Sequence, residues 1–368
     1  MTPKAEIAVI RGDGIGVDVT DATLAVVSAA MARCGLPGLS EVTIAAGAGY
    51  FAQTGRDIED CGEERAGEAD AIFLGAIGLP SVRHADGTEI SPHLRLRDRF
   101  GLYAGVRPVK AYPNAPQRLA DPRAAGIDLV ILRESTEGLF YSAAVHGRSQ
   151  IIGDEEVRDT LRITRPTTER LHRFGFRLAE RRRARGRPGL LTCVDKANVF
   201  ASMAFFRKIF DEIRPEFPDI NVGYNYVDAQ ALDLIRRPWD FDVLVMENMF
   251  GDILSDLAGG LVGGMGMASC AEIGDEHGLF QPAHGSAPDI MGQDKANPLA
   301  AILSGALMLD YLGERLDAPG YADAAHMIDA AVDAGFAANR LRPMEFSGDM
   351  GTKAVTQEVI DLIAEVSV

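Results

Sequence analysis

The chain has 368 residues, 47% of them hydrophobic and 24% charged, the composition of a folded globular protein with room for two domains or one large one. Its formal charge of -16 argues against nucleic acid as a partner, because a phosphate backbone would be repelled, and confines any anionic substrate to a local basic pocket. Cys34, Cys61, Cys193 and Cys270 lack paired or CxxC spacing, so neither a disulfide framework nor a zinc site is expected.

Residues 6–10 read as a buried strand that opens directly, without a charged-then-apolar leader. No apolar run reaches membrane-spanning length, so a cytoplasmic protein with no membrane partner is expected. The strand runs into Gly12-Asp-Gly-Ile-Gly16 and a helix to about Cys34, the opening of an α/β unit. A dinucleotide fingerprint calls for glycine at position 17, where Val17 stands, so a GxGxxG Rossmann fold is not indicated. The turn either meets a ligand or is only a tight turn. Residues 42–46 and 70–77 are further strands, the second ending in a glycine-containing turn where open α/β sheets place ligands. Residues 79–92 form a loop without periodicity, of a length typical of binding loops.

A basic constellation follows. Arg97 lies in a short segment after Ser91 and His93, Arg107 precedes Pro108, and Arg133 closes a strand at 127–132. The planar fork of arginine grips carboxylates bidentately, so three near strand and helix ends suit a di- or tricarboxylate; singly, each is an ordinary surface ion-pair residue. The basic run at 162–187 reads instead as a helix with a solvated face, given apolar Leu171, Phe174 and Leu178 at helical spacing and no interleaved aromatics.

A strand at 189–194 ends at Lys196, followed by a helix to about Ile213. Lysine at a buried strand end is either desolvated into a base or snorkels to the surface. Strands at 221–227 and 242–247 lead to Asp228 and to a helix expected to open at Gly251. Asp252 and Asp256 stand four apart on it, sharing a face, where like charges repel unless a hard divalent cation lies between them; the alternative is a solvated face with two unrelated acids. Residues 280–290 read as a loop rich in small residues, and helices at about 298–312, 321–338 and 352–364 finish the chain.

Taken together, GDGIG at 12–16, LRLRDRFGLYAGVRPVK at 94–110, RESTEG at 133–138, VDKANVF at 194–200, YVDA at 226–229, GDILSDLA at 251–258, and HGSAPDI with ANP at 284–298 resemble the decarboxylating β-hydroxyacid dehydrogenases. That family includes the isopropylmalate, isocitrate, tartrate and D-malate dehydrogenases. The resemblance implies a two-domain α/β fold that is not a GxGxxG Rossmann fold. Residues 1–101 with 263–368 would form a large cofactor-binding domain, and residues 102–262 a small domain carrying the dimer interface and the metal and substrate residues. It implies a homodimer with shared active sites, Lys196 and Asp228 entering the partner's site. Arg97, Arg107 and Arg133 would clamp substrate carboxylates, and Asp228, Asp252 and Asp256 would hold Mg2+ or Mn2+. Lys196 would serve in removing the hydroxyl proton as hydride leaves C2. His284, Gly285, Ser286, Ala287, Asp289, Ile290 and Asn297 would bind NAD, Asp289 disfavouring a 2′-phosphate.

Departures from the family pattern bear on chemistry. The family's catalytic tyrosine falls on Phe140, with Tyr141 next to it; in an extended segment neighbours face opposite sides, so Tyr141 substitutes only across a bulge. Gln281 stands where many relatives carry glutamate. Before the first arginine, Ser91 and His93 replace the leucines with which isopropylmalate enzymes meet an alkyl group, so a polar C3 substituent is expected. The expected activity is NAD- and metal-dependent oxidative decarboxylation of a malate-type 2-hydroxy acid. Its alternatives are a non-catalytic subunit of the same fold and oxidation without decarboxylation.

Overall fold

The computed structural model describes residues 2–144 and 149–366. Its strands are β1 (Glu6–Gly12), β2 (Ser40–Thr43), β3 (Ala71–Ala76), β4 (Ala104–Lys110), β5 (Asp128–Glu134), β6 (Gln150–Ile152), β7 (Glu156–Arg158), β8 (Leu190–Asp195), β9 (Asn221–Tyr226), β10 (Val243–Met246), β11 (Ser269–Ile273) and β12 (Gly278–Pro282). Ten of them form one sheet in the order β2-β1-β3-β12-β11-β4-β5-β10-β8-β9, and β6 and β7 pair separately. The outer portions are parallel, whereas β12-β11, β11-β4 and β4-β5 are antiparallel. Strand β3 is buried at every residue, as expected where helices cover both faces of a sheet.

On one side, the helices Gly16–Arg33, Leu299–Arg315, Pro319–Ala337 and Thr352–Glu365 pack on one another. Their apolar stripes enclose the largest core, which includes Phe73, Phe280, Ile302, Met308 and Phe336. A second core, with Ile131, Leu244, Met246 and Leu254, lies under the helix Asn248–Leu261. Among the described residues no helix is long and apolar enough to cross a membrane.

Several boundaries depart from expectation for local reasons. Strand β2 ends at Thr43 because the chain turns into the helix Ala48–Thr54, whose first N–H groups, on Ala48 and Gly49, donate to the buried Asp13 carboxylate at 2.8 and 2.7 Å. The helix carrying Asp252 opens three residues earlier than expected, at Asn248, because the Glu247 carboxylate caps it, accepting from Phe250 N at 2.8 Å and Met249 N at 3.2 Å. Phe280 and Gln281 lie in β12 rather than in a loop, and β11 pairs with it. Asp228 stands in the first turn of the helix Val227–Arg236. The segment Phe140–Ala144 is helical, not extended, so the alternation expected of Phe140 and Tyr141 does not apply. In the basic helix Arg165–Ala184, Arg182 is not solvated: it pairs with the fully buried Asp242 and with Asp128.

Candidate active site

The three arginines converge. Register places Glu272 opposite Gly105, and Gly105 opposite Arg133, so these positions lie in one row on one face of β11, β4 and β5. Arg107, two residues along β4, shares that face. Arg97 comes from the last turn of the helix Pro92–Arg99. All three guanidinium-bearing side chains are buried. Arg97 Nη2 lies 2.8 Å from Glu272 Oε1, Arg107 Nη1 donates to Ser255 Oγ at 2.7 Å, and Arg133 Nε donates to Asn248 Oδ1 at 2.8 Å. Burial, reinforced by the neighbouring Arg107 and Arg97, lowers the Arg133 pKa to about 10, which leaves it cationic at neutral pH. Such a concentration of positive charge away from water is favourable only with anions present.

The acids of the helix Asn248–Leu261 face this cluster. Asp252 pairs with Arg133 and lies 3.9 Å from Arg107, while Asp256 lies 3.8 Å from Arg107. Their side chains remain 43% and 60% exposed, so one side of each carboxylate is open. Partial burial raises the Asp256 pKa; Arg107 opposes that shift and the neighbouring Asp252 adds to it. A divalent cation would relieve that like-charge term, and all-oxygen donors suit Mg2+ or Mn2+. Asp228 does not join them within the chain: among the described residues no group of three or more His, Cys, Asp or Glu side chains is placed to hold a metal. Instead Asp228 accepts from Lys196 Nζ at 2.5 Å, a bond that lowers its pKa.

Ser91 precedes the helix Pro92–Arg99 without capping it, its hydroxyl donating weakly to Glu89 O at 3.4 Å. His93 Nδ1 is sealed from solvent without a hydrogen-bond partner. Burial, with Arg97 adding and Glu272 opposing, lowers the His93 pKa to about 3, so its imidazole is neutral. The Phe140 ring lies against the Arg133 guanidinium, 4.8 Å from carbon to centroid, and the Tyr141 ring lies 3.9 Å from that of Arg162.

Two glycine-containing loops clasp each other at the C-terminal end of β1. Ile15 N donates to Ser286 O at 2.7 Å, and the Ser286 hydroxyl donates to Gly78 O. Gly14, at φ +56°, approaches so closely that a Cβ there would stand 2.0 Å from Ser286 O. Asp13, beyond its bonds to Ala48 and Gly49, accepts from Gly78 N at 2.8 Å. The loop 284–290 therefore rests on the first strand-turn-helix unit. Ala287 takes a left-handed φ of 35°, and Gly285 and Asp289 are exposed. The His284 ring has a buried Nε2 with no partner, and Ile290 is partly buried. Asn297 is buried and donates to Glu345 Oε2 at 2.9 Å. A backbone-rich, partly exposed loop with an orphaned imidazole nitrogen suits the adenosine part of a dinucleotide.

The chain matches the model of the isocitrate/isopropylmalate dehydrogenase family over residues 6–363. It belongs to that family. It is 40% identical to the 3-isopropylmalate/3-methylmalate dehydrogenase of Methanocaldococcus jannaschii, across 98% of this chain and 99% of that one. Among solved structures it superposes on the isocitrate dehydrogenase of Methylococcus capsulatus with a TM-score of 0.82 at 32% identity, covering 98% and 99% of the two chains. It also matches the β-decarboxylating dehydrogenase of Thermococcus kodakarensis, with a TM-score of 0.78 at 35% identity over 98% and 96%. The fold is accordingly the two-domain α/β fold of this dehydrogenase family, as the motifs implied.

Two residues at the candidate site escaped sequence reasoning. Glu272 sits in SCAEI, a short strand on which the sequence offered no reading. Asp13 reads as turn punctuation within GDGIG, yet it accepts three backbone N–H bonds. Only the pairing of β11 with β4 exposes the first, and only the approach of residues 48–49 and 78 exposes the second.

Proposed function

We propose that this chain is an NAD- and Mg2+- or Mn2+-dependent dehydrogenase that oxidatively decarboxylates a malate-type 2-hydroxy acid with a polar C3 substituent. The observation that carries the reading is the convergence of Arg97, Arg107 and Arg133 on Asp252 and Asp256, since no structural economy calls for so much buried charge. Arg107 and Arg133, with Arg97 beside them, hold the substrate carboxylates and fix C2 and C3 in place. Asp252 and Asp256, with Asp228 of the partner subunit, would hold the divalent cation. Lys196 of the partner subunit takes the hydroxyl proton at Nζ. Bound beside them, NAD would accept the C2 hydride, and the cation would act as Lewis acid where negative charge develops. His284, Gly285, Ser286, Ala287, Ile290 and Asn297 bind the adenosine side. Asp289 there repels a 2′-phosphate and so favours NAD over NADP.

A homodimer with shared sites is part of the proposal. The half-site of Lys196 and Asp228 is flanked by exposed apolar side chains, Val199 and Phe200 in the turn after Lys196 and Leu232 and Ile235 on the helix Val227–Arg236; Ile253, beside Asp252, is 60% exposed. Apolar surface bordering two incomplete half-sites is what a second copy would cover. We draw the large domain at 1–101 with 263–368 and the small one at 102–262, a division that crosses the sheet between β11 and β4.

A regulatory, non-catalytic role is favoured by one observation: the ring facing Arg133 is Phe140, which has no hydroxyl to deliver a proton. Tyr141, the alternative acid, lies against Arg162. The test is NADH formation with Mn2+ against D-malate, both tartrates, isocitrate and isopropylmalate, beside Lys196→Ala. Turnover on a polar acid, with stoichiometric CO2 and a loss of about 100-fold or more in the variant, is expected. Silence across the panel, with NAD binding intact, would favour the regulatory role, and oxidation without CO2 would remove the decarboxylating step.

A further inference from the structure

The arginine cluster already contains a carboxylate of its own. Glu272 is fully buried on β11, and its Oε1 is 2.8 Å from Arg97 Nη2. Its other oxygen, Oε2, is buried and makes no well-formed hydrogen bond. Room for it exists because β4 carries glycine at the opposing position: a Cβ on Gly105 would stand 3.0 Å from Glu272 Oε2 and 2.6 Å from Ser135 Oγ. Burial alone would push the Glu272 pKa up, yet Arg97, Arg107 and Arg133 together hold it below the ordinary carboxylate value. It is therefore an anion in the resting site.

We propose that Glu272 is a specificity-determining residue: by pairing with Arg97 inside the cluster, it sets the site for acids with two carboxylates and excludes those with a third. The proposal rests on the reading of the cluster as a 2-hydroxy-acid pocket. Arg107 and Arg133 remain to meet substrate, turned toward Asp252 and Asp256. A third carboxylate would have to displace Glu272 from Arg97 or lie against it, and an unpaired like-charge contact out of water discriminates strongly. The side chain beside Arg97 adds no positive charge for such a ligand, because His93 is a neutral imidazole with at most one N–H to donate. A neutral polar substituent such as a hydroxyl has partners in both His93 and Glu272.

Calorimetric titration of the Mn2+-loaded, full-length protein with D-malate, tartrate and isocitrate tests this, with NADH formation followed in parallel. Isocitrate is expected to bind on the order of 100-fold more weakly than the two-carboxylate acids. Glu272→Gln, which removes the charge and keeps the shape, is expected to close that gap about tenfold or more by strengthening isocitrate relative to D-malate and tartrate. Equal affinity for isocitrate and D-malate in the wild type overturns the proposal, as does a variant that shifts all acids alike. Should Glu272→Gln fail to fold by circular dichroism, the wild-type ladder decides. Selective binding of dicarboxylates without NADH formation would uphold Glu272 and remove the dehydrogenase reading. Turnover that favours isocitrate would do the reverse, and failure of every acid to bind would overturn both.

Discussion

Glu134, the residue that follows Arg133 in β5, illustrates what burial does to a single acid beside this site. Its carboxylate accepts from Thr136 N at 2.7 Å, Thr136 Oγ1 at 2.6 Å and Glu137 N at 2.6 Å. Burial nonetheless outweighs these bonds and raises its pKa from 4.5 to about 7. Because the folded value lies above the unfolded one, the native state binds the extra proton between them. The associated stability is complete below the unfolded pKa and is lost as pH rises through about 7, at most about 3 kcal/mol. The wild type should therefore melt progressively lower between about pH 5 and about pH 7.5. In Glu134→Gln that part of the decline should disappear, which scanning calorimetry across the range would read. Parallel slopes in the two proteins would mean that Glu134 is ionised throughout. At this scale the sequence was most informative about arginines and aspartates, whose chemistry is explicit in side-chain type and in the i, i+4 spacing of Asp252 and Asp256. It was silent on Glu134 and Glu272, because nothing local distinguishes an acid on a buried strand from one on a solvated edge.

At the scale of elements, the clasp between residues 12–16 and 284–290 makes a stability prediction with an internal control. Gly14 and Gly87 both have positive φ, +56° and +86°, but a Cβ on Gly14 would strike Ser286 O at 2.0 Å while one on Gly87 would meet nothing within 4 Å. Gly87→Ala should cost only the left-handed strain, about 1 kcal/mol. Gly14→Ala must also part the two loops, and about 3 kcal/mol or more is expected, read from urea unfolding midpoints at unchanged m-value. Similar losses in both would show that the clasp yields freely. Long, strongly apolar elements such as β3 and the helix Leu299–Arg315 were legible from periodicity alone. Strand β11 was not: SCAEI is short, has small residues and carries an acid. Strand β12 was masked by Pro282 and the small-residue run behind it, so FQP read as loop. The two pair with each other as a hairpin, but their outer neighbours β4 and β3 are distant in sequence, and a window of local pattern holds no record of those partners.

For the whole molecule, the proposed sharing of sites makes a prediction that single-chain catalysis does not. Homodimers of Lys196→Ala and of Asp252→Asn should each be inactive. Co-expressed, they would form mixed dimers in which one site inherits both lesions and the other inherits none, so activity should return to as much as about half of wild type in purified mixed dimers. No recovery in purified mixed dimers would place Lys196 and Asp252 in the same chain's site and would sink the shared arrangement.

The position of β12 between β3 and β11 has a consequence for how this protein is made. Among the described residues, the edge of β3 facing away from β1 is closed only by residues 278–282, and Tyr321 ties the first residues by donating to Pro3 O at 2.8 Å and accepting from Ala5 N at 3.1 Å. A growing chain thus carries an apolar, unpaired strand edge until some two hundred further residues have left the ribosome, and its first segment is fastened only later still. Open strand edges of this kind recruit other chains. Synthesis that stalls before β12 leaves a fragment with a ready template for aggregation, so the interval of greatest risk in the protein's life precedes the completion of its own sequence.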